Sequence, residues 1–450
     1  MTTTPFLGSL EDRTPRAIAS AFSRAIRAGD LAPGDRLPTV RDVAAELGVS
    51  PATVSTAWQA LRRAGLVTAR GRAGTFVTEG DRGWLSPRVQ GMVGEGASTP
   101  GRWRHDLSRG IPDPALLPSL GPALRRVATR TASAASPAYQ DAPVLPELRE
   151  VLAASWPWQP EAITVVDGAT DGIVRVAEHL VGLGDRIVLE SPGFPPFLDL
   201  AEVLGAEVVS VSSDADGVRL DSLARALRTD PALVVLQPRA QNPTGVSTSR
   251  SRAQRLAALL RRHPQVVVVE DDHSGFISGG PDVSLGRWLP DQVVHVRSYS
   301  KSHGPDLRVA ALGGPAALVD AVVARRMIGP GWTSRMTQTI LLDLLTSARS
   351  VEEVAEARRQ YFGRSRAVVA ALARHGLDVE VPDGLNLWLP VRDERAALLH
   401  LEAAGVRVAA GSPFVAPDDQ QAPHVRVTLA LVRPEEADEV AALLAEATRA

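Results

Sequence analysis

The 450-residue chain contains no cysteine, which removes disulfides, thiolate metal sites and thiol nucleophiles together and fits a reducing interior. It has almost no lysine. Of the 49 Lys and Arg residues, Lys301 alone is lysine. No apolar run reaches the roughly 20 residues that span a bilayer, and the start of the chain has no charged segment followed by an apolar one. A soluble cytoplasmic protein with no membrane partner is expected. Net charge is only −2, which excludes a global attraction to nucleic acid or membrane but not a local one. What is present is a 44% hydrophobic fraction, enough for a sizeable core in one of two or three domains. A high-GC coding background accounts for arginine and alanine in excess, and it makes the survival of one lysine the first question.

Residues 11–79 read as a small basic domain, with ten Arg against seven Asp or Glu. In "PRAIASAFSRAIRAG", Ile18, Phe22 and Ile26 fall at helical spacing before Gly29. Val40, Val43, Ala44 and Leu47 mark a second helix closed by Gly48. Ser50 caps a third that carries Pro51 in its first turn and buries Val54, Trp58 and Leu61. The pair forms a helix-turn-helix pattern, and "LVTARGRAGTFVT" reads as two β-rich runs forming a wing. Thr53, Ser55, Thr56 and Gln59 would face outward from the third helix toward base edges or phosphates. Arg62, Arg63, Arg70 and Arg72 would meet phosphates at its end and in the wing. Residues 80–104, rich in Gly, Pro and Ser, read as a flexible linker.

From about residue 105 to 450 the chain reads as one large domain, with subdomains of about 139–330 and 331–450. Helical stretches alternate with apolar runs such as "AITVVDG", "ALVVLQP", "QVVVVEDD" and "VVHVRSYS". Several are apolar on both faces, as buried strands are, so an α/β fold with a mostly parallel sheet and helices on both faces is expected. Polar clusters fall at the strand C-terminal ends, where such sheets bind ligands. A lysine can lose its proton and form a Schiff base with an aldehyde, whereas a guanidinium cannot, so arginine would fail at position 301. Pyridoxal phosphate is the cofactor this chemistry serves. Asp271 would hold its pyridine nitrogen, Phe194 would stack on its ring and Asn242 would donate to its phenolic oxygen. Its phosphate would take backbone N–H groups of "DGATDG" at Ala169 and Thr170, with the Thr170 side chain, Ser298, Ser300 and Arg308.

The pattern over residues 26–66, "IRAGDLAPGDRLPTVRDVAAELGVSPATVSTAWQALRRAGL", resembles the GntR-type winged helix-turn-helix of bacterial transcription regulators. By that resemblance Arg36 and Arg41 are further DNA contacts, and Pro51 stands where the family usually has Arg. "GIPDPALLP", "AYQDAPVLPELRE", "NPTG", "SYSKSHGPDLRVA" and "HVRVTLA" resemble landmarks of the fold-type I aminotransferases. That resemblance implies that Arg426 grips a substrate carboxylate, that Tyr139 reaches the phosphate of a partner subunit's cofactor, and hence a homodimer. Three positions depart from it. His273 replaces the tyrosine that donates to the phenolic oxygen, so His273 or a neighbour takes that role; Val144 replaces a glycine; Arg239 and Ala240 replace a small polar pair.

A GntR-type domain linked to an aminotransferase-like domain resembles the MocR-type regulators. This implies a double-stranded DNA operator as partner, and pyridoxal phosphate or a small amino compound as the signal. Two other readings stay open: a working aminotransferase with an accessory N-terminal domain, and a DNA-binding module whose large domain only dimerises.

Overall fold

The computed structural model describes residues 12–63, 65–69, 74–78, 85–93, 103–131, 138, 141–417 and 419–450, and the chain forms two compact units. In the first, α1 (Pro15–Ala28) begins where the Thr14 hydroxyl accepts the Ala17 N–H and ends at Gly29 with φ +85°. Helix α2 (Val40–Leu47) opens on a reciprocal Thr39–Asp42 capping box and stops at Gly48. Helix α3 (Pro51–Arg63) follows within three residues, and the Ser50 hydroxyl accepts the Thr53 N–H at 3.1 Å. Strands β1 (Val67–Ala69) and β2 (Thr75–Val77) pair antiparallel as the wing. Ile18, Phe22, Val43, Leu47, Val54, Trp58 and Leu61 fill one core, in which Phe22 meets Trp58 edge-on at 4.5 Å. The apolar stripes read in the sequence are therefore the packed faces of a winged helix.

The second unit corrects the linker. Residues within 80–104 include helix α4 (Pro87–Val93), whose Val89 and Met92 pack against Trp388, Ala409 and Phe414. Trp103 lies against the Arg407 guanidinium at 5.4 Å. Apolar residues at helical spacing were hidden there among Gly and Pro. After β3 (His105–Asp106), α5 (Gly121–Thr131) and α6 (Pro146–Ala154) come β4 (Ala162–Val166), α7 (Ala169–Leu180), β5 (Arg186–Glu190), α8 (Pro195–Leu204) and β6 (Glu207–Val211). A short hairpin, β7 (Ser213–Asp214) and β8 (Gly217–Val218), leads to α9 (Leu220–Leu227), β9 (Leu233–Leu236), α10 (Arg250–Leu260) and β10 (Val267–Asp272). The last part of this region is β11 (Val293–Ser298), α11 (Ser300–His303), β12 (Ala310–Gly314) and α12 (Ala316–Met327).

The strands form a seven-stranded sheet in the order β4-β12-β11-β10-β9-β5-β6. Strands β5, β9, β10 and β11 run parallel, and β12 runs antiparallel to both neighbours. The sheet is thus mostly parallel, with one reversed strand. All four residues of β9 and all six of β11 are buried, as apolar runs covered on both faces require.

Helix α13 (Arg335–Thr346) and the long α14 (Ala348–Arg374) follow. The C-terminal part is β13 (Asn386–Pro390), α15 (Glu394–Ala403), β14 (Val406–Arg407), β15 (Ala409–Ala410), β16 (His424–Thr428) and α16 (Ala437–Ala447), with a β13-β16-β15 sheet. The expected division at residue 331 shifts. Leu341, Leu342 and Leu344 of α13 pack with Ala123, Leu148 and Leu152 of α5 and α6. Leu107, far upstream, joins the C-terminal core with Leu389, Val425 and Leu444.

Candidate cofactor site

Alternation along β10 sorts three consecutive acids to two faces of the sheet. Glu270 and Asp272 stand in register with His295 and Arg297 of β11. On that face Asp272 accepts from Arg239 Nε at 3.1 Å, with Arg297 Nε at 3.4 Å. His295 Nδ1 meets Glu270 Oε2 at 2.9 Å. These cations hold the Asp272 carboxyl well below its ordinary range even though burial pushes the other way. Asp271 points to the opposite face. Its Oδ2 accepts from Gln237 Nε2 at 2.8 Å, and its buried Oδ1 has no partner among the described residues. Burial pushes the Asp271 carboxyl up to about 7, the Gln237 donor opposes this, and the Asp272 charge adds to it.

Lys301, near the start of short helix α11, sends Nζ to the Gly110 carbonyl oxygen at 2.6 Å. Burial pushes the Lys301 amine down to about 8, helped by the Arg426 charge and opposed by Asp271. The amine thereby loses its proton far more readily than an exposed lysine does. Arg426, on β16 and 1% exposed, donates from Nη1 to Asn242 Oδ1 at 3.3 Å and from Nη2 to the Ser108 carbonyl oxygen. Burial draws its pKa down to about 10, so it stays cationic at neutral pH. The site brings Lys301, Asp271, Asn242 and Arg426 together from four distant segments.

A phosphate-sized cradle lies at the N-terminus of α7. Gly168 has φ +103°, a backbone conformation that favours glycine, and a Cβ there would stand 2.7 Å from Arg308 Nη2 and push that guanidinium aside. The first N–H groups of α7, at Ala169 and Thr170, have no partner within the helix and point outward from its positive end. Ser298 is buried at the end of β11 and its hydroxyl accepts the Ser300 N–H at 3.2 Å. Arg326 donates to Asp167 Oδ2 at 3.0 Å and to Asp171, neutralising two carboxylates that would otherwise repel a phosphate. Phe194 lines a small cavity with Glu190 and Gln237. The orphan Asp271 oxygen, the glycine cradle and the depressed lysine together fit pyridoxal phosphate.

His273 does not fit its expected role. Its Nε2 lies 2.8 Å from the Ala240 carbonyl oxygen, which only accepts, so that nitrogen carries the proton. Burial, and then the Lys301 charge, draw the ring down to about 4. A neutral imidazole has one N–H, and here it is committed to Ala240. Asn242, by contrast, turns its Oδ1 to Arg426, which leaves its Nδ2 as an uncommitted donor. Tyr139, Arg70 and Arg72 lie outside the described residues, as does the side chain of Arg63. In the winged helix Arg36, Arg41, Thr56 and Arg62 are exposed, and Thr53, Ser55 and Gln59 are half-buried. Thr53 shares a 2.8 Å contact with the Ser50 hydroxyl, and Thr56 donates to Ala52 O. Sequence reasoning passed over Gln237, which carries no motif of its own, and gave no role to Gly110, although it opens the "GIPDPALLP" segment.

Two family models match the chain: bacterial regulatory proteins of the gntR family over residues 14–77, and aminotransferase class I and II over residues 105–444. The vitamin B6 salvage pathway transcriptional repressor PtsJ of Salmonella typhimurium is 34% identical, over 96% of this chain and 98% of that protein. The pyridoxine biosynthesis transcriptional regulator PdxR of Corynebacterium glutamicum is 29% identical over 79% of this chain and 78% of its own. Among solved structures, the alpha-aminoadipate aminotransferase LysN of Thermus thermophilus, complexed with N-(5'-phosphopyridoxyl)-L-leucine, superposes with a TM-score of 0.70 at 23% identity, covering 81% of this chain and 95% of that one.

Proposed function

Because the chain belongs to the MocR-type regulators, with a GntR-type DNA-binding domain ahead of an aminotransferase class I and II domain, we propose that it senses a small amino compound at the Lys301 site and relays the state of that site to an operator. The observation that carries this reading is the convergence of Lys301 on α11, Asp271 near the end of β10 and Arg426 on β16, around a buried carboxylate oxygen with no partner among the described residues.

Pyridoxal phosphate is the cofactor of this domain class, and when bound it supplies an aldehyde that links to amines and a ring that withdraws electrons. Lys301 would offer the amine, Asp271 Oδ1 would hold the pyridine nitrogen, Asn242 would donate to the phenolic oxygen, and Gly168, Ala169, Thr170, Ser298, Ser300 and Arg308 would hold the phosphate. Arg426 selects ligands that carry a carboxylate. The signal is then an amino acid or a similar amine with an acid group, or the cofactor itself. A ligand that favours one arrangement of the large domain shifts operator affinity by the ratio of its affinities for the two arrangements. A homodimer acting in the cytoplasm completes the proposal. Met327, Ile328 and Met336 are exposed at 45%, 80% and 58% beside the Asp167–Arg326 cradle, and a second copy would cover them.

The test is operator binding by the full chain without ligand, with pyridoxal phosphate, and with the cofactor plus amino acids. A change in affinity of fivefold or more with one of them is expected, as couplings of about 1 kcal/mol give. The same affinity under every ligand refutes the sensor.

A further inference from the structure

We propose that Gln237 is a positioning residue that ties the acid facing the cofactor's pyridine nitrogen to the amide facing its phenolic oxygen and, through that amide, to the carboxylate-binding arginine. This rests on pyridoxal phosphate occupying the site around Lys301.

Gln237 follows directly on β9 and is 4% exposed. Each of its side-chain polar atoms is engaged. Nε2 donates to Asp271 Oδ2 at 2.8 Å, and Oε1 accepts the Asn242 N–H at 2.9 Å. Its own N–H donates to Glu190 Oε2 at 2.6 Å, which fixes the backbone from which the side chain extends. The orientation of the amide follows from its partners. A carboxylate accepts and a backbone N–H donates, so only one of the two flips satisfies both.

Three consequences follow for the site. With Oδ2 engaged, Asp271 has a single free acceptor, the buried Oδ1, and so one direction in which to hold a protonated ring nitrogen. With its backbone N–H on Gln237 and its Oδ1 on Arg426, Asn242 has its Nδ2 left for the ring's oxygen. The two polar ends of the cofactor ring are thus set by one side chain. Third, the hydrogen bonds Arg426–Asn242, Asn242–Gln237 and Gln237–Asp271 form an unbroken path. A ligand carboxylate that takes up Arg426 Nη1 competes with Asn242 Oδ1, and the change reaches the acid at the pyridine nitrogen through Gln237.

Glutamate is isosteric with glutamine, and in its protonated form it offers the same one acceptor together with a donor. In its ionised form it offers no donor and sets a second negative charge against Asp271. The full-length wild type, Gln237→Glu and Gln237→Leu would each be titrated with pyridoxal phosphate labelled at the ring nitrogen, following affinity by fluorescence and ring protonation by NMR across pH.

The leucine variant is expected to bind the cofactor about tenfold or more weakly, the loss of a buried bond to a charged group, and its ring nitrogen to lose its proton at lower pH than in wild type. The glutamate variant is expected to match wild type at acid pH and the leucine variant at alkaline pH, a crossover that a filling role in the core would not produce. It also keeps the test available if leucine disturbs packing. Wild-type ring titration in both variants, or a glutamate defect equal at every pH, overturns the role of Gln237 alone. A wild-type protein that takes up no pyridoxal phosphate overturns the cofactor reading together with it.

Discussion

Lys301 and Arg426 meet at Gly110: the lysine amine donates to its carbonyl oxygen at 2.6 Å, and Arg426 Nη1 stands 3.0 Å from where a Cβ on Gly110 would be. Two cations are held together by a backbone segment that came from the far N-terminal end of the large domain. Burial disfavours both charges, the Arg426 charge adds to this at Lys301, and an anionic ligand would be welcome between them.

Gly110→Ala tests that crowding. Gly110 has φ +60°, where a side chain costs about 1 kcal/mol, and the added methyl would press on Arg426. Cofactor uptake should persist, while affinity for an amino acid falls about tenfold more than affinity for the matching amine without a carboxylate. Titrating the bound cofactor's absorbance with both ligands measures the split, and equal losses would mean that Arg426 does not hold the acid group.

Lys301→Arg keeps the charge and removes the nucleophile. The variant should fold, bind operator and remain colourless with excess pyridoxal phosphate, with no label retained after borohydride. In the wild type, the amine sits near 8 in the free site. The rate of cofactor attachment should therefore rise about tenfold per pH unit below that value and level off above it. A flat profile from pH 6 to pH 9 in rapid-mixing absorbance would place the attacking amine elsewhere.

The sheet was legible because its strands are apolar on both faces, and the lysine stood out because a guanidinium cannot replace it. Contacts across sequence were not legible. Gln237 meets Asp271 34 residues away, and nothing in "LQPRAQNPTG" marks which side chain points where. The aminotransferase resemblance assigns the donor role to His273 or a neighbour, but the Ala240 carbonyl that claims the ring's proton is brought in by the same long-range fold. Helix α4 was missed since seven residues give too few turns for periodicity to emerge among glycines and prolines.

His303, buried at 3% with Nδ1 2.8 Å from the Ser302 hydroxyl, gives a pH-dependent stability. Burial draws its ring down to about 4, against about 6.5 in an unfolded chain. Between those values the unfolded state binds more protons, so this contribution is complete above pH 6.5 and shrinks as pH falls toward 4. His303→Phe should gain on wild type by up to about 1.4 kcal/mol per pH unit across that window. Urea denaturation at pH 7 and pH 5 checks it; a difference between the two proteins that does not vary with pH would show that the ring titrates alike in the folded and unfolded chain.

The exposed guanidiniums of Arg36 and Arg41 make a separate prediction about DNA. Each phosphate neutralised releases counterions, so Arg41→Ala should weaken binding to every sequence alike and lower the slope of log affinity against log salt by about one. Gln59→Ala should instead relax discrimination at one base pair, worth about 1–3 kcal/mol. Fluorescence anisotropy at several salt concentrations separates the two, and an unchanged slope for Arg41→Ala would remove it from the interface.

Arg239 departs most visibly from the aminotransferase resemblance, and its surroundings give the reason. It is 8% exposed and grips Asp272 with two nitrogens on the face of β10 opposite Asp271. Without it, a fully buried carboxylate keeps His295, Arg297 and the Gly275 N–H at 3.3 Å, and its charge is poorly compensated beside Asp271. Arg239→Ala should therefore destabilise the protein by about 3–5 kcal/mol, as stranding one half of a buried ion pair does. The double replacement Arg239→Met with Asp272→Leu should recover much of that loss, because it removes both charges together. If the double variant is as unstable as the single one, the arginine is needed for its contacts beyond Asp272, such as the 3.8 Å approach to Asp282, and not for balancing the acid on β10.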